Sequence, residues 1–261
     1  MSHFVWDISP EIIRVGSLSI RWYGLLFALG FIIGYEIFQR IFRLEHKNPK
    51  DIDKLTVIMI LSTVIGARLG HCFFYEPEYY LSHPIEILYV WKGGLASHGA
   101  AIAILLGIWY FVARNKEYSY FWILDRLAIT IALAGSLIRL GNFFNSEILG
   151  VPTDVPWAVV FAKVDEIPRH AVQLYESISY FIIFIYLSII YLKYKQNLPA
   201  GRSFGAFLTL VFLARFILEF FKEQQTSLEA NLPLHMGQLL SIPFIIIGLY
   251  FWIKSFRKNK N

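Results

Sequence analysis

The sequence predicts an all-α polytopic membrane protein with seven transmembrane helices, forming a single integral membrane domain over residues 1–261. Hydrophobic residues fill 56% of the positions and charged residues only 16%, whereas soluble domains carry about 25% charged residues. The mean hydropathy is +0.52. Seven apolar stretches also have the length that crosses a bilayer, about 20 residues each.

The seven predicted helices are apolar runs that end at basic or turn-forming residues. They cover roughly 18–39, 55–75, 94–113, 121–143, 172–193, 204–221 and 236–254. The third begins in glycines, and the sixth is short and contains Arg215 and Glu219. Residues 1–13 lack the basic n-region of a cleavable leader, so we expect the first helix to be retained.

The loops predict the orientation. Most of the 24 lysines and arginines fall in one set of loops, at 40–54, 114–126, 193–202 and 254–260. Because positive loops stay inside, this side is predicted to be cytoplasmic, with the N-terminus periplasmic and the C-terminus cytoplasmic. The longest outer loop, 144–171, contains a β-like run at 157–161 and is predicted to form a small periplasmic cap between helices four and five.

Polar side chains recur at one depth of the predicted bundle. The helices that run outward carry Arg68, Arg139 and Arg215 in their outer halves, and those that run inward begin with polar residues. These are Arg21, Tyr23, Ser97, His98, His170, Gln173, Tyr175, His235 and Gln238. Since ionisable groups in a bilayer usually face a wet cavity, we expect one polar cavity open to the outer side. The nearly apolar inner halves argue against a transporter, which needs polar groups along its whole path.

The chemistry of this cavity indicates an anionic ligand with a large apolar part. Arginine suits phosphate, and a phospholipid head group lies at this depth. The glycine-rich start of the third helix, 93–99, could add backbone donors, and His98 could move a proton near neutral pH. No metal-ligand cluster and no cofactor motif is present in the sequence. The single cysteine, Cys72, excludes an internal disulfide and is best interpreted as a buried apolar residue.

Each polar residue also has a structural interpretation. A lone intramembrane histidine such as His98 usually joins helices by hydrogen bonds. Arg215 and Glu219 could form only an ion pair, and Arg68 could extend toward the interface. His170 and His235 are close enough to loops to be ordinary interfacial residues. The net charge of +5 lies in short loops, so it does not indicate nucleic-acid binding.

The segment 139–150 resembles the signature of the bacterial prolipoprotein diacylglyceryl transferases. It reads Arg139-x-Gly141-Asn142-Phe143-x-Asn145-x-Glu147-x-x-Gly150. Pieces that agree in order and spacing are Arg21-Trp22-Tyr23-Gly24-Leu25, Gly66-Ala67-Arg68-Leu69-Gly70, Gly93 to Gly99, Pro168-Arg169-His170-x-x-Gln173-Leu174-Tyr175-Glu176, Arg215-Phe216-x-x-Glu219 and Met236-Gly237-Gln238. The resemblance runs from about residue 18 to 245.

The resemblance implies an enzyme of the bacterial inner membrane. Similar proteins move a diacylglyceryl group from phosphatidylglycerol to the lipobox cysteine in a preprolipoprotein signal peptide, forming a thioether and releasing glycerol 1-phosphate. No cofactor is implied, and the partners are phosphatidylglycerol, the preprolipoprotein and membrane lipids.

Roles for individual residues follow as hypotheses. Arg139 and Arg215 would grip the lipid phosphate, with Arg68 as the alternative to Arg215. His98 would either abstract the thiol proton or orient the lipid. Asn142, Asn145 and Glu147 would bind the glycerol hydroxyls or shape the turn that leads to Gly150, and Tyr23, His170, Gln173 and Glu219 are further candidates. Two rival functions stay open: lipid binding or flipping without catalysis, and transfer of the phosphoryl head group.

Overall fold

The computed structural model describes residues 3–16, 18–223 and 234–257 and is mainly helical. Its helices are α1 (Trp22–Leu44), α2 (Pro49–Phe74), α3 (Pro77–Ser82), α4 (Ser97–Arg114), α5 (Tyr120–Phe144), α6 (Val172–Tyr194), α7 (Arg202–Leu218) and α8 (Met236–Arg257). Within the described residues, seven helices are long and apolar enough to cross a membrane, which confirms the predicted fold class. The short α3 is the exception.

The first predicted helix begins later than expected. Residues Leu18–Arg21 form strand β3, which pairs antiparallel with β2 (Glu11–Val15), and α1 starts only at Trp22. The Arg21 guanidinium lies 3.6 Å from the Glu11 carboxylate across this hairpin. Residues 18–21 therefore form backbone hydrogen bonds in a hairpin before the chain enters the first span. Apolar composition alone does not separate these two states.

Residues 39–123 form one compact unit, in which α2 and α4 pack through small residues. A Cβ atom added at Gly66 would lie 2.6 Å from the Gly99 carbonyl oxygen, and one added at Gly70 would lie 2.8 Å from the Gly99 Cα. The two backbones approach too closely for a larger residue, as is usual where membrane helices associate by van der Waals packing. At the far end of this pair, the Tyr118 hydroxyl donates to Asp51.

The described residues within 1–38 and 124–261 form the second compact unit. Here α7 packs against α8 with Gly205 facing Gly248, where an added Cβ would lie 2.8 Å from the Gly248 carbonyl oxygen. The buried Asp125 carboxylate of α5 accepts the backbone N–H groups of Gly201 (2.7 Å) and Phe204 (2.9 Å). These N–H groups at the start of α7 have no intrahelical partner, so Asp125 caps α7 from another helix.

The predicted β-like run contains strand β4 (Val159–Phe161). It pairs in parallel with β1 (Phe4–Trp6) and antiparallel with β5 (Pro168–Arg169). Trp6, Phe143 and Phe161 form an aromatic core with this sheet. The ring of Trp6 lies 4.4 Å from that of Phe143, which belongs to the end of α5. This sheet is thereby packed on the helix turn that carries the polar signature segment.

Candidate functional site

The signature segment 139–150 ends α5 in a hydrogen-bonded turn built on Glu147. Its Oε1 accepts from Asn142 Nδ2 (2.6 Å) and Asn145 Nδ2 (3.3 Å), and its backbone carbonyl accepts from Gln173 Nε2 (2.7 Å). The neighbouring residues Ser146 and Ile148 have φ of 54° and 58°. Since positive φ is unfavourable for a β-branched residue, these side-chain bonds stabilise a backbone that the sequence would not adopt alone.

Both ends of the signature segment are held closely. A Cβ at Gly141 would lie 2.9 Å from the Tyr23 ring, so α1 packs directly on α5 at this point. Tyr23 is also near enough to Glu147 and Arg139 to interact with their charges. At the other end, Gly150 forms a bridge with Lys222, and a Cβ there would lie 2.8 Å from the His170 Cβ. Glycine is required at both points by close approach.

Arg139 lies between the signature turn and α6. Its Nε is 3.1 Å from Glu176 Oε2, its Nη1 donates to Asn142 Oδ1 at 3.3 Å, and it hydrogen bonds with the Tyr180 side chain. About 18% of its side chain remains exposed. The guanidinium is therefore oriented by Glu176 and Tyr180 of α6 and by Asn142, and part of the Arg139 side chain is accessible.

A buried charge network supports this arrangement. Lys222 Nζ lies 2.8 Å from Glu176 Oε1 and 3.2 Å from Glu219 Oε2. Glu176 is completely buried and Lys222 is 4% exposed. Glu219 packs on the backbone of Gly237 at the start of α8. Buried charges persist only when they are paired, so Lys222 and Arg139 together balance the two carboxylates, and Lys222 ties α6 to the end of α7.

Arg215 belongs to the same region, one turn before Glu219 on α7. It lies close enough to the Tyr180 side chain to interact electrostatically with it, as Arg139 does. Among the described residues, no acceptor lies within hydrogen-bonding reach of its buried Nε. The two predicted phosphate-binding arginines thus flank one tyrosine, and Arg215 retains a donor without a partner there.

His170 and Gln173 lie on the loop and first turn that face Gly150. His170 Nδ1 is 3.2 Å from the Tyr175 hydroxyl, and the His170 backbone N–H donates to the Val151 carbonyl. Gln173 is completely buried and donates from Nε2 to the Glu147 carbonyl of the signature turn. Both residues thus hold the signature segment in place.

His98 and Arg68 both belong to the unit 39–123, where they contact different residues. His98 is exposed at the first turn of α4, with its ring 5.2 Å from that of Phe74 and 5.8 Å from that of Tyr75. Arg68 is 2% exposed and donates to the carbonyl oxygens of Glu86, Ile87 and Gly93 at 2.6–2.9 Å. Gly93 and Gly94, both with positive φ, turn their carbonyls toward this guanidinium.

Three residues of this cluster were not predicted as site residues: Glu176, Tyr180 and Lys222. Glu176 and Tyr180 are four residues apart, which places them on one helix face, and Lys222 follows Glu219 by three. The spacing was readable, but a tyrosine in an apolar helix and a lysine near a span end both look like interfacial anchors. Only their burial in the cluster around Arg139 and Glu176 distinguishes them from such anchors.

Chemically, this cluster is suited to an anion. Arg139, Arg215 and Lys222 lie with Glu176 and Glu219 in one region, and Arg139 is preorganised while partly accessible. Planar guanidinium groups bind phosphate by paired hydrogen bonds and stabilise developing negative charge without reorganising.

Comparison with known proteins gives a consistent result. A family model described as prolipoprotein diacylglyceryl transferase matches residues 10–254. The chain is 51% identical over 257 residues to the phosphatidylglycerol–prolipoprotein diacylglyceryl transferase of Chloroherpeton thalassium, covering 98% of this chain and 96% of that protein. It is 50% identical to the protein of the same name from Tolumonas auensis over 254 residues, covering 97% and 98% of the two chains. The like-named Bacteroides fragilis protein is 42% identical over 258 residues, covering 94% and 93%.

Proposed function

Because the chain belongs to the prolipoprotein diacylglyceryl transferase family, we propose that it transfers the diacylglyceryl group of phosphatidylglycerol to a prolipoprotein. The acceptor is the lipobox cysteine of the preprolipoprotein signal peptide, and the products are a thioether and glycerol 1-phosphate. This is the first step of bacterial lipoprotein maturation, carried out by a multi-pass protein of the bacterial inner membrane.

The observation that carries the proposal is the pair of arginines around Tyr180. Arg139 is oriented by Glu176 and Asn142, and Arg215 keeps a buried Nε without an acceptor among the described residues. We assign the phosphate to this pair. We prefer Arg215 to Arg68 because the donors of Arg68 are already used by backbone carbonyls.

The reaction is a substitution at carbon. The cysteine sulfur attacks the carbon of the diacylglyceryl group that is bonded to a phosphate oxygen. The S–C bond forms as this C–O bond breaks, and the electron pair of the C–O bond passes to the phosphate oxygen. Arg139 and Arg215 stabilise the charge that accumulates on the departing glycerol phosphate. The thiol must lose its proton, and its ordinary pKa of about 8.5 makes a base useful. We keep His98 as the proposed base.

The other predicted residues support the site in this scheme. Asn142, Asn145 and Gln173 hold the Glu147 turn, which presents Arg139. Tyr23 packs on Gly141, and His170 holds the backbone beside Gly150. Glu219 pairs with Lys222 in the buried charge network that also contains Glu176. These contacts favour turn shaping over hydroxyl binding for the two asparagines.

The test uses the purified full chain in detergent with phosphatidylglycerol labelled in its acyl chains and a lipobox peptide. Transfer of the acyl label to the peptide thiol supports the proposal. Unchanged lipid with correctly folded protein would instead favour a lipid-binding or lipid-flipping protein. Phosphate label on an acceptor would favour head-group transfer.

The Arg139→Gln variant sharpens this test. Loss of the clamp should reduce transfer at least about 100-fold, the effect expected for a group that stabilises transition-state charge. Arg14→Gln, at an exposed arginine of β2, is the matched control and should keep its activity. Comparable transfer by Arg139→Gln and the control would show that the phosphate is bound elsewhere.

A further inference from the structure

The loop between α2 and α4, residues 75–92, presents an apolar surface that the proposed reaction does not use. Leu81, Ile85, Leu88 and Trp91 are each 68–75% exposed. These four large apolar side chains recur every three or four residues along the loop. Such a row of large exposed apolar side chains outside a spanning segment marks an interaction surface.

This loop is an ordered structure with its own anchor. It consists of α3, a 3₁₀ turn at Pro84–Leu88 and another at Val90–Lys92. The guanidinium of Arg68, a residue of α2, donates to the carbonyls of Glu86 and Ile87 and lies 4.9 Å from the Tyr80 ring centroid. A buried arginine therefore fixes the backbone that carries the four apolar side chains.

The position of the loop between two membrane spans indicates which partner contacts its apolar side chains. The loop is joined at Phe74 to α2, a span of 26 residues, and leads through Gly93 and Gly94 to α4, a span that begins at Ser97. A 26-residue helix is about 39 Å long, which exceeds the roughly 30 Å hydrocarbon thickness. The loop must therefore begin close to the membrane–water interface, where tryptophan and large aliphatic residues are favoured.

We propose that residues 75–92 are an interfacial membrane-binding surface that inserts Leu81, Ile85, Leu88 and Trp91 into the lipid. Arg68 is the residue that holds this surface in shape. The partner is the phospholipid bilayer itself, contacted through apolar area. Glu76 and Glu78 are acidic and exposed, so the surface does not depend on attraction to anionic lipids. Insertion should accordingly be the same in vesicles of phosphatidylcholine alone as in vesicles that contain anionic lipid, and it should not weaken at high salt.

Spin labelling tests this directly on the full chain in phosphatidylcholine vesicles. The lone Cys72 is buried and can be replaced by Ala, and single cysteines are then introduced at Leu88 and, as the matched control, at Glu78. A nitroxide at position 88 should be several-fold more accessible to oxygen, which concentrates in lipid, than to a water-soluble nickel chelate. The order should reverse at position 78, since an ionised carboxylate stays in water.

Two results of the spin labelling would overturn the proposal. Preferential access of the nickel chelate at position 88 would place the loop in water. Protection of position 88 from both reagents would show that protein covers it. Quenching by brominated lipid, compared between the Cys72-containing chain and its Trp91→Phe variant, gives an independent measurement without the Cys72 replacement. Loss of Trp91 should remove a quenchable component, and equal fractional quenching of the two proteins would contradict insertion.

The role of Arg68 is tested with the same label. Arg68→Gln should increase the mobility of the nitroxide at position 88, visible as narrower lines, because three carbonyl contacts are lost. Unchanged line shapes would refute the assignment of Arg68 as the anchor of this surface.

Discussion

At the scale of the residue, burial decides which charged groups support the site. Glu176 is completely buried, and its two oxygens face Arg139 and Lys222 at 3.1 and 2.8 Å. Glu219 lies 3.2 Å from the same lysine. A buried carboxylate is stable only with such partners, so the network fixes Glu176, and Glu176 in turn orients Arg139.

Replacing Lys222 tests the network. Lys222→Met should destabilise the protein by about 3–5 kcal/mol, because it removes the cation that pairs with Glu219 and leaves Glu176 with Arg139 alone. Thermal unfolding in detergent, followed by circular dichroism, measures this loss. Lys222→Arg keeps the charge and should recover most of the stability.

The control for this prediction is Lys163→Met, at an exposed lysine of the outer loop. It removes the same charge and should leave unfolding within about 0.5 kcal/mol of the parent protein. Equal unfolding of the Lys222 and Lys163 variants would mean that the buried carboxylates take up protons at no measurable cost.

At the scale of the element, close helix packing depends on glycine. The α2–α4 pair brings Gly66 against the Gly99 carbonyl, where an added Cβ would lie at 2.6 Å. Gly66→Ala should destabilise by about 1–3 kcal/mol through overpacking. Gly24→Ala is the matched control, because a Cβ on that glycine of α1 meets nothing within 4 Å. It should be neutral or stabilising. Equal melting temperatures for the two variants in detergent would show that α2 and α4 can move apart.

The outer loop depends on pH through Asp165. Hydrogen bonding from Arg169 holds the pKa of the Asp165 carboxyl below its ordinary value, and Arg169 also bonds to the Gly150 carbonyl and to Glu223. A lowered folded-state pKa contributes stability that is present above the ordinary pKa, about 3.9, and lost as pH falls through the folded value.

We therefore expect hydrogen exchange of amides 159–169 to stay constant from neutral pH to about pH 5, after correction for the intrinsic rate, and to accelerate below about pH 4. Asp165→Asn should exchange faster already at neutral pH, whereas Asp154→Asn, at an exposed aspartate, should behave as the parent does. A parent-like Asp165→Asn protein would exclude this pair as a loop anchor.

At the scale of the whole molecule, seven spans and an excess of basic residues in alternate loops predict the orientation. The N-terminus should be periplasmic and the C-terminus cytoplasmic, with residues 1–261 forming one membrane domain and 144–171 a periplasmic cap. A C-terminal fluorescent-protein fusion should fluoresce, and a fusion of alkaline phosphatase at the same point should be inactive. Cysteines placed at Lys163 and Lys116 should react with a membrane-impermeant maleimide from outside only at 163. Labelling at 116 alone would invert the topology.

The sequence by itself determined the class of the protein and predicted the signature segment of its candidate site. Spans of about 20 apolar residues report directly on bilayer thickness, and the spacing of Arg139, Asn142, Glu147 and Gly150 is a local property of one chain segment. For this reason the seven helices and the signature segment were predictable. The start of α1 lies later than predicted, because Leu18 and Ile20 belong to strand β3, and α2 starts earlier than predicted, at Pro49 instead of about residue 55.

Only the tertiary structure decided which distant residues act on that segment. Tyr180 and Lys222 became recognisable through their contacts with Arg139 and Glu176, and Arg68 through its bonds to the 75–92 loop. The physical reason is that burial and pairing of charge arise when helices far apart in sequence pack together. Composition cannot tell an arginine that extends toward lipid from one that binds carbonyls or is left available to bind a phosphate.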